Sequence, residues 1–265
     1  MPRVPEDWAA YEAALQPKGT PDTLYLVARR WQLTNTRYLL GPAGFLDGLN
    51  SQLDPVQRRF RIVTQFDIIP KPDIPRPMRL EDLTAEPSTN GLYALFEFPG
   101  VLPRAGLYSN WQVYTNSQAT LQQLASASFD PSQTVLVTAA LPTAPAPGRT
   151  NAPAGTVEFA RYRPNHITLK AHAESPSVLL LNDKYDPDWQ VYVDGRRAEL
   201  LRCNFIMRGV FMPPGNHTVQ FRFRPSIWMM YITISAMVLG LLMLSFLLLA
   251  RRQEEPLPSP AQRAP

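Results

Sequence analysis

The stretch from Ile227 to Ala250 reads IWMMYITISAMVLGLLMLSFLLLA, an uncharged apolar run of 24 residues closed by Arg251 and Arg252. At 1.5 Å per residue such a helix reaches about 36 Å, enough to cross a hydrocarbon layer of about 30 Å with some tilt. Trp228 and Tyr231 stand at one end, where amphipathic rings favour the headgroup layer, and the arginine pair stands at the other. A buried core helix seldom stays apolar on every side for so long. The run predicts a transmembrane helix over 227–250, with a disordered cytoplasmic tail over 251–265. The lipid bilayer is therefore the first expected partner.

Working outward, the 265-residue chain has a mean hydropathy of −0.18 in spite of this run, so the remainder is polar. The roughly 225 residues outside the span suffice for one large β domain or two small ones. The formal charge of +4 is modest, and the basic residues (Arg29 and Arg30, Arg58 and Arg59, Arg196 and Arg197) are dispersed. A nucleic-acid footprint is denser than this, so no nucleic acid is expected as partner. Cys203 is the single cysteine, which rules out an internal disulfide and reads as a packed small residue. Met1 to Gln16 lacks an apolar segment of secretory type, because Glu6, Asp7 and Glu12 interrupt it. A chain whose apolar signal lies at its end would insert with its bulk in the cytoplasm. The arginines after the span would then sit on the far side, against the positive-inside tendency, while Arg222 and Arg224 before it nearly balance the count.

Proline is over-represented, with 28 residues where average usage gives about 13. The segment Pro142-Thr143-Ala144-Pro145-Ala146-Pro147-Gly148 cannot sustain a ladder of backbone hydrogen bonds. It marks a linker over 141–154. Before it, 1–140 reads as a small α+β segment. Helices are expected over Asp7 to Leu15, over Asp22 to Asn35, and over Ser117 to Ala127 with Ser117 as cap; strands are expected over Arg37 to Leu40, Arg61 to Ile69, Leu92 to Phe98 and Thr134 to Val137. After the linker, 155–225 reads as short strands and turns. Val157 to Arg163, Ile167 to Ala173 and His217 to Arg224 alternate, Val178 to Leu181 is a continuous apolar run, and Trp189 to Val193 ends in the hairpin signal Asp194-Gly195. Further strands are expected over Ala198 to Leu201 and Gly209 to Met212. Strands at this spacing predict an antiparallel β-sandwich. The fold class is thus mostly β: a small α+β segment, an antiparallel β-sandwich, then one C-terminal transmembrane helix.

The densest polar cluster is Asn182 to Trp189. Asp183, Asp186 and Asp188 carry the oxygen ligands that a hard cation prefers, but without the glycine and distal glutamate of a calcium loop. A solvated inter-strand turn accounts for the same residues. His166 and His172 belong to one strand face and His217 lies elsewhere, so no zinc spacing emerges, and no nucleophile motif is present. No metal, cofactor or catalytic residue is expected. Asn216-His217-Thr218 fits a glycosylation sequon and reads first as a turn. Tyr185, Trp189, Tyr192 and Phe205 can stack on sugar rings, though core packing explains them as well.

Three stretches carry a resemblance. The first runs from Leu179 to Pro225 and includes Tyr185-Asp186-Pro187-Asp188-Trp189, Val193-Asp194-Gly195, Asn204 before Arg208-Gly209-Val210, and Pro214-Gly215-Asn216-His217. The others are Asn35-Thr36-Arg37-Tyr38-Leu39-Leu40 and Leu102-Pro103-Arg104-Ala105. Together they resemble the C-terminal extracytoplasmic part of the YfhO-like family of bacterial polytopic membrane proteins, themselves similar to C-type glycosyltransferases that use lipid-linked sugars. The resemblance implies a domain outside the bacterial inner (plasma) membrane, delivered there by preceding spans. It also implies a non-catalytic role in recognising a cell-envelope glycan, wall polymer or lipid-linked sugar. Ligand contacts are expected at Tyr185, Asp186, Asp188, Trp189, Asn204 and Arg208. Two departures stand out. Asp188 occupies a place where the family usually has glycine. The multi-span part, where the family's catalytic acid lies, has no counterpart in this sequence, so an N-terminal multi-span portion is expected to be missing. Two rivals remain open: a freestanding tail-anchored scaffold or adaptor without sugar chemistry, and a hydrolase using two of the three aspartates about 5 to 9.5 Å apart.

Overall fold

The computed structural model describes residues 6–74, 76–145, 154–225 and 227–253. It divides after Phe223 into a large compact unit and a second unit beginning at Arg224. The second unit holds the long apolar helix and is described last.

In chain order the large unit runs α1 (Glu6–Ala14), α2 (Tyr25–Leu33), β1 (Tyr38–Pro42), a helical turn α3 (Leu46–Gly48) leading into a π turn at Leu49–Leu53, β2 (Arg61–Pro70), β3 (Leu83–Pro87), β4 (Tyr93–Glu97), β5 (Ala105–Tyr108), β6 (Trp111–Val113), α4 (Ser117–Ala125) and β7 (Val135–Val137). It continues through β8 (Gly155–Arg163), β9 (His166–Ala173), β10 (Ser177–Lys184), β11 (Trp189–Val193), β12 (Arg196–Ala198), β13 (Leu201–Cys203), β14 (Met207–Met212) and β15 (Gly215–Phe223). The expectation of a mostly β chain with N-terminal helices is met. Three short strands, β3, β5 and β6, had no counterpart in the sequence reading, and the strand expected over Ala198 to Leu201 is broken at Glu199 and Leu200, its ends closing β12 and opening β13.

Three sheets result. One has the order β1-β4-β2-β3, a second β5-β10-β14-β13-β7-β6, and a third β12-β11-β15-β9-β8. Among the described residues every pairing is antiparallel except β6 with β7, which is parallel. Strand β10 shows how the layers stack. Alternate side chains point to opposite faces of a strand. Leu179 and Leu181 therefore join Ile167, Leu169, Val191, Val219 and Phe221 of the five-stranded sheet, while Val178 and Leu180 join Leu26, Leu33, Leu121 and Leu124 of the helices. The unbroken apolar run of β10 records burial on both faces, each such leucine contributing about 1.5–3 kcal/mol. The sandwich is thus covered on its outer six-stranded face by α1, α2 and α4.

Most of the proline-rich linker, 146–153, lies outside the described residues. Strands from its two sides share one sheet: β5 pairs with β10, and β7 with β13. The small four-stranded sheet packs one face on Trp31, Phe60, Phe98 and Leu49. Its surroundings also present Leu40, Leu80, Leu92 and Met78 to solvent, each more than 70% exposed.

Two turn expectations resolve differently. Asp194 and Gly195 take φ of 50° and 78°, the left-handed pair that the β11–β12 hairpin requires. Helix α4 is capped by Asn116 and not by Ser117: the Asn116 Oδ1 accepts from the amides of Gln118 and Ala119 at 2.8 and 3.1 Å. The cap must be the last non-helical residue, and Ser117 is already inside the first turn.

In the second unit, helix α5 (Trp228–Gln253) is long and apolar enough over Trp228–Leu249 to cross a membrane, with none of that stretch buried against protein. The expected tail beyond it lies outside the described residues from 254 onward.

Candidate functional site

Arg208, in β14, is the most unusual residue of the sandwich because only 3% of its surface is exposed. A guanidinium in such a place must be paired and hydrogen-bonded. Its Nη2 donates to Asp183 Oδ2 at 2.9 Å and its Nη1 to the Lys184 carbonyl at 2.8 Å. The guanidinium lies 3.9 Å from the Trp189 ring centroid and 5.8 Å from that of Phe221. Its Nε is buried without a partner among the described residues. Burial lowers the Arg208 pKa, and the charge of Asp183 opposes that shift.

Asp183 reaches this position through an irregularity in β10, where the register with β14 shifts between Leu181 and Lys184. Such a shift re-aims side chains at a strand end. Asp183 also meets Arg104 Nη2 at 3.2 Å, so two guanidiniums share one carboxylate. Arg104 packs over the Tyr162 ring, 4.2 Å from its centroid, and donates to the Tyr162 hydroxyl. The backbone of β10 holds Arg104 in place, since the Asn182 amide donates to the Arg104 carbonyl at 2.8 Å. The cluster is therefore a buried base, Arg208 with Asp183 and Trp189, beneath a half-exposed Arg104 and Tyr162.

The residues expected from sequence divide accordingly. Arg208 and Trp189 come together; Trp189 is 9% exposed and belongs to the core, as its strand position argued. Asp186 and Asp188 build the turn between them: the Asp188 amide donates to Asp186 Oδ1 at 2.8 Å. Asp188 has no positive φ, so the turn closes without the glycine that the resemblance led us to expect there. Tyr185 is half-buried, its amide donating to the Ile206 carbonyl at 2.7 Å, with Arg202 5.9 Å from its ring. Asn204 faces the other way. It is 1% exposed at φ 43°, and its Oδ1 accepts from the Leu136 amide at 3.0 Å, tying β7 to the turn before β14. The partners Arg104 and Tyr162 were not singled out for this role. They lie 79 and 21 residues from Asp183, and no local spacing signals the meeting.

A second polar region occupies the rim of the five-stranded sheet. His172 Nδ1 meets Asn216 Oδ1 at 2.8 Å, and His217 Nδ1 meets Asp194 Oδ2 at 2.7 Å. The hydrogen bond from His217, then that from the Thr218 amide, hold the Asp194 carboxyl below its ordinary pKa. His172 and His217, apart in sequence, line one open cleft with Lys170 and Thr218. No group of three or more metal-ligating side chains exists among the described residues.

The sandwich and its Val-Asp-Gly hairpin are the frame in which these residues sit. Residues 150–235 match the family described as bacterial membrane protein YfhO. The YfhO match therefore takes in β8 to β15 and the first turns of α5, and with them Tyr162, Asp183, Trp189 and Arg208. Arg104, on the segment before β5, lies outside it. No curated protein and no solved structure matches the chain.

Proposed function

We propose that this chain serves as a non-catalytic, extracytoplasmic recognition part of a glycosyltransferase-like protein of the bacterial inner membrane, aiding recognition of a cell-envelope glycan or lipid-linked sugar. The observation that carries this reading is the Arg104–Tyr162 pair standing half-exposed over the buried Asp183–Arg208 ion pair. An exposed phenol ring offers an apolar face to sugar C–H groups, while the guanidinium donates to hydroxyl or phosphate oxygens. The fixed base beneath limits the entropy lost on binding. The match to a bacterial membrane protein family over 150–235 and the candidate span at Trp228–Leu249 support attachment of the chain to a membrane.

The experiment is binding of the detergent-purified full chain to immobilised envelope glycans and lipid-linked sugars, with Arg104→Ala and Tyr162→Ala as controls. Binding reduced about tenfold by either substitution supports the reading, and absence of binding to every probe removes it. Labelling of a Val63→Cys variant by a membrane-impermeant maleimide on intact spheroplasts tests the extracytoplasmic placement, which fails if labelling requires lysis. Blotting source membranes tests the expected multi-span portion, because a chain standing alone migrates near its own 29.9 kDa.

A second reading, a tail-anchored scaffold without sugar chemistry, is favoured by one observation: the exposed Leu40, Leu80, Leu92 and Met78 around the four-stranded sheet. Exposed apolar surface of this kind marks interaction sites. A 29.9 kDa band combined with a cytoplasmic Val63→Cys would favour it.

A further inference from the structure

A cleft of about 480 Å³ lies where α2, the β4–β5 loop and the α4–β7 loop meet, lined among others by Arg29, Gln32, Arg59, Tyr108, Ser128 and Asp130. That volume falls within the roughly 300–1,000 Å³ of small-ligand sites. Two guanidiniums on its wall are fixed in advance. Arg29 Nη1 donates to the carbonyls of Leu124 and Ser126 at 2.9 and 3.2 Å, capping the C-terminal end of α4. Its Nε and Nη2 have no hydrogen-bond partner and its charge no ion-pair partner among the described residues. Arg59 makes a two-pronged contact with Asp54, Nε to Oδ2 at 2.8 Å and Nη2 to Oδ1 at 3.1 Å, and lies 4.9 Å from the Phe98 ring centroid. Its Nη1 faces Gly100, where a Cβ would come within 2.5 Å of it. A side chain there would push the Arg59 guanidinium and the Phe98 ring aside.

Burial is the main cause holding the Arg29 pKa below the ordinary value; Tyr25 and Asp130 act against the shift, and Arg59 adds to it. Asp130 sits on the opposite side of the chemistry. Its Oδ1 accepts from the Ser132 amide at 2.9 Å and the Ser132 hydroxyl at 2.6 Å, which fixes the carboxylate. Fixed guanidiniums recognise oxyanions. A fixed carboxylate accepts from hydroxyls.

We propose that this cleft binds a small hydroxylated ligand bearing one oxyanion, a phosphate or carboxylate on a single sugar ring, with Arg29 and Arg59 holding the oxyanion and Asp130 a ring hydroxyl. The inference is independent of the Arg104–Tyr162 surface, and its failure leaves that reading intact. Titration calorimetry of the detergent-purified full chain with glucose 6-phosphate, glucuronate, inorganic phosphate and glucose tests it. Saturable binding of the first or second, at least about tenfold tighter than both phosphate and glucose, supports the proposal and tells the two oxyanions apart. Equal binding of inorganic phosphate overturns the sugar part, and no binding of either anionic sugar at millimolar concentration overturns the whole. Arg29→Gln should weaken binding about tenfold or more. Because Arg29 also caps α4, Asp130→Asn is the second variant; it should weaken the anionic sugar without weakening inorganic phosphate, which loses a repelling charge and no partner. Arg197→Ala, exposed on the β11–β12 hairpin away from the cleft, should leave all four titrations unchanged, and a loss there would overturn the assignment to this cleft.

Discussion

Arg208 lies over Trp189, 3.9 Å from the ring centroid, while its Nη2 holds Asp183 at 2.9 Å. The aromatic face and the carboxylate together make a guanidinium tolerable in the sandwich core. Removing the carboxylate alone leaves a buried charge without its counter-ion. Asp183→Asn is therefore expected to destabilise the domain by about 3 kcal/mol, and Asp183→Asn with Arg208→Met to recover most of that. Denaturant unfolding followed by tryptophan fluorescence measures both. A single variant as stable as the parent would contradict the account.

At helix α4 the cap assignment makes an asymmetric prediction. Asn116→Ala should cost about 1 kcal/mol, because two amides lose their acceptor, whereas Ser117→Ala should change stability by less than about 0.5 kcal/mol. Thermal denaturation of the two variants side by side decides between the neighbours.

The Asp194 carboxyl is held below its ordinary value, mainly by the hydrogen bond with His217 and next by the Thr218 amide. The unfolded chain takes up this proton first as pH falls. The stabilisation is therefore complete above the unfolded value of about 3.9 and is lost as pH drops through the lower folded value. Asp194→Asn should flatten the acid limb of a stability–pH curve below about pH 4 and leave its neutral part parallel to the parent's. An unchanged acid limb would count against the hydrogen-bonded carboxylate.

Cys203 is fully buried, and burial raises its thiol pKa far above the ordinary value. A maleimide should leave it untouched in the folded protein and modify it once denaturant opens the sandwich, so labelling reports global unfolding. Rapid labelling under native conditions would mean that β13 opens locally.

The sandwich strands were legible where several residues alternate or run continuously apolar, as in β9, β10 and β15. The strands β3, β5 and β6 were not. In β6, Trp111 to Val113, three residues are too few to display a period, and the strand exists because β7 offers a parallel neighbour. The hairpin at Asp194-Gly195 could be read from two residues because backbone geometry restricts the choice there. The candidate sites followed the same division. Arg208 and Trp189 could be named from a motif, but the ion pairs that place Arg104 and Arg208 on Asp183 form across strands distant in the chain. Arg29 and Arg59 looked like dispersed surface charge, and only folding brings both to one wall.

The interleaving of β5 and β7 with β10 and β13 bears on how such chains can be cut and recombined. A fragment limited to 150–235 would keep β10, β14 and β13 but lose both outer neighbours and the helices over Val178, Leu180 and Leu201. Its two bare edges and uncovered greasy face would invite pairing with other copies. The segment that carries the family signature is thus foldable only in company, and any swap between such chains must exchange the first 140 residues along with it.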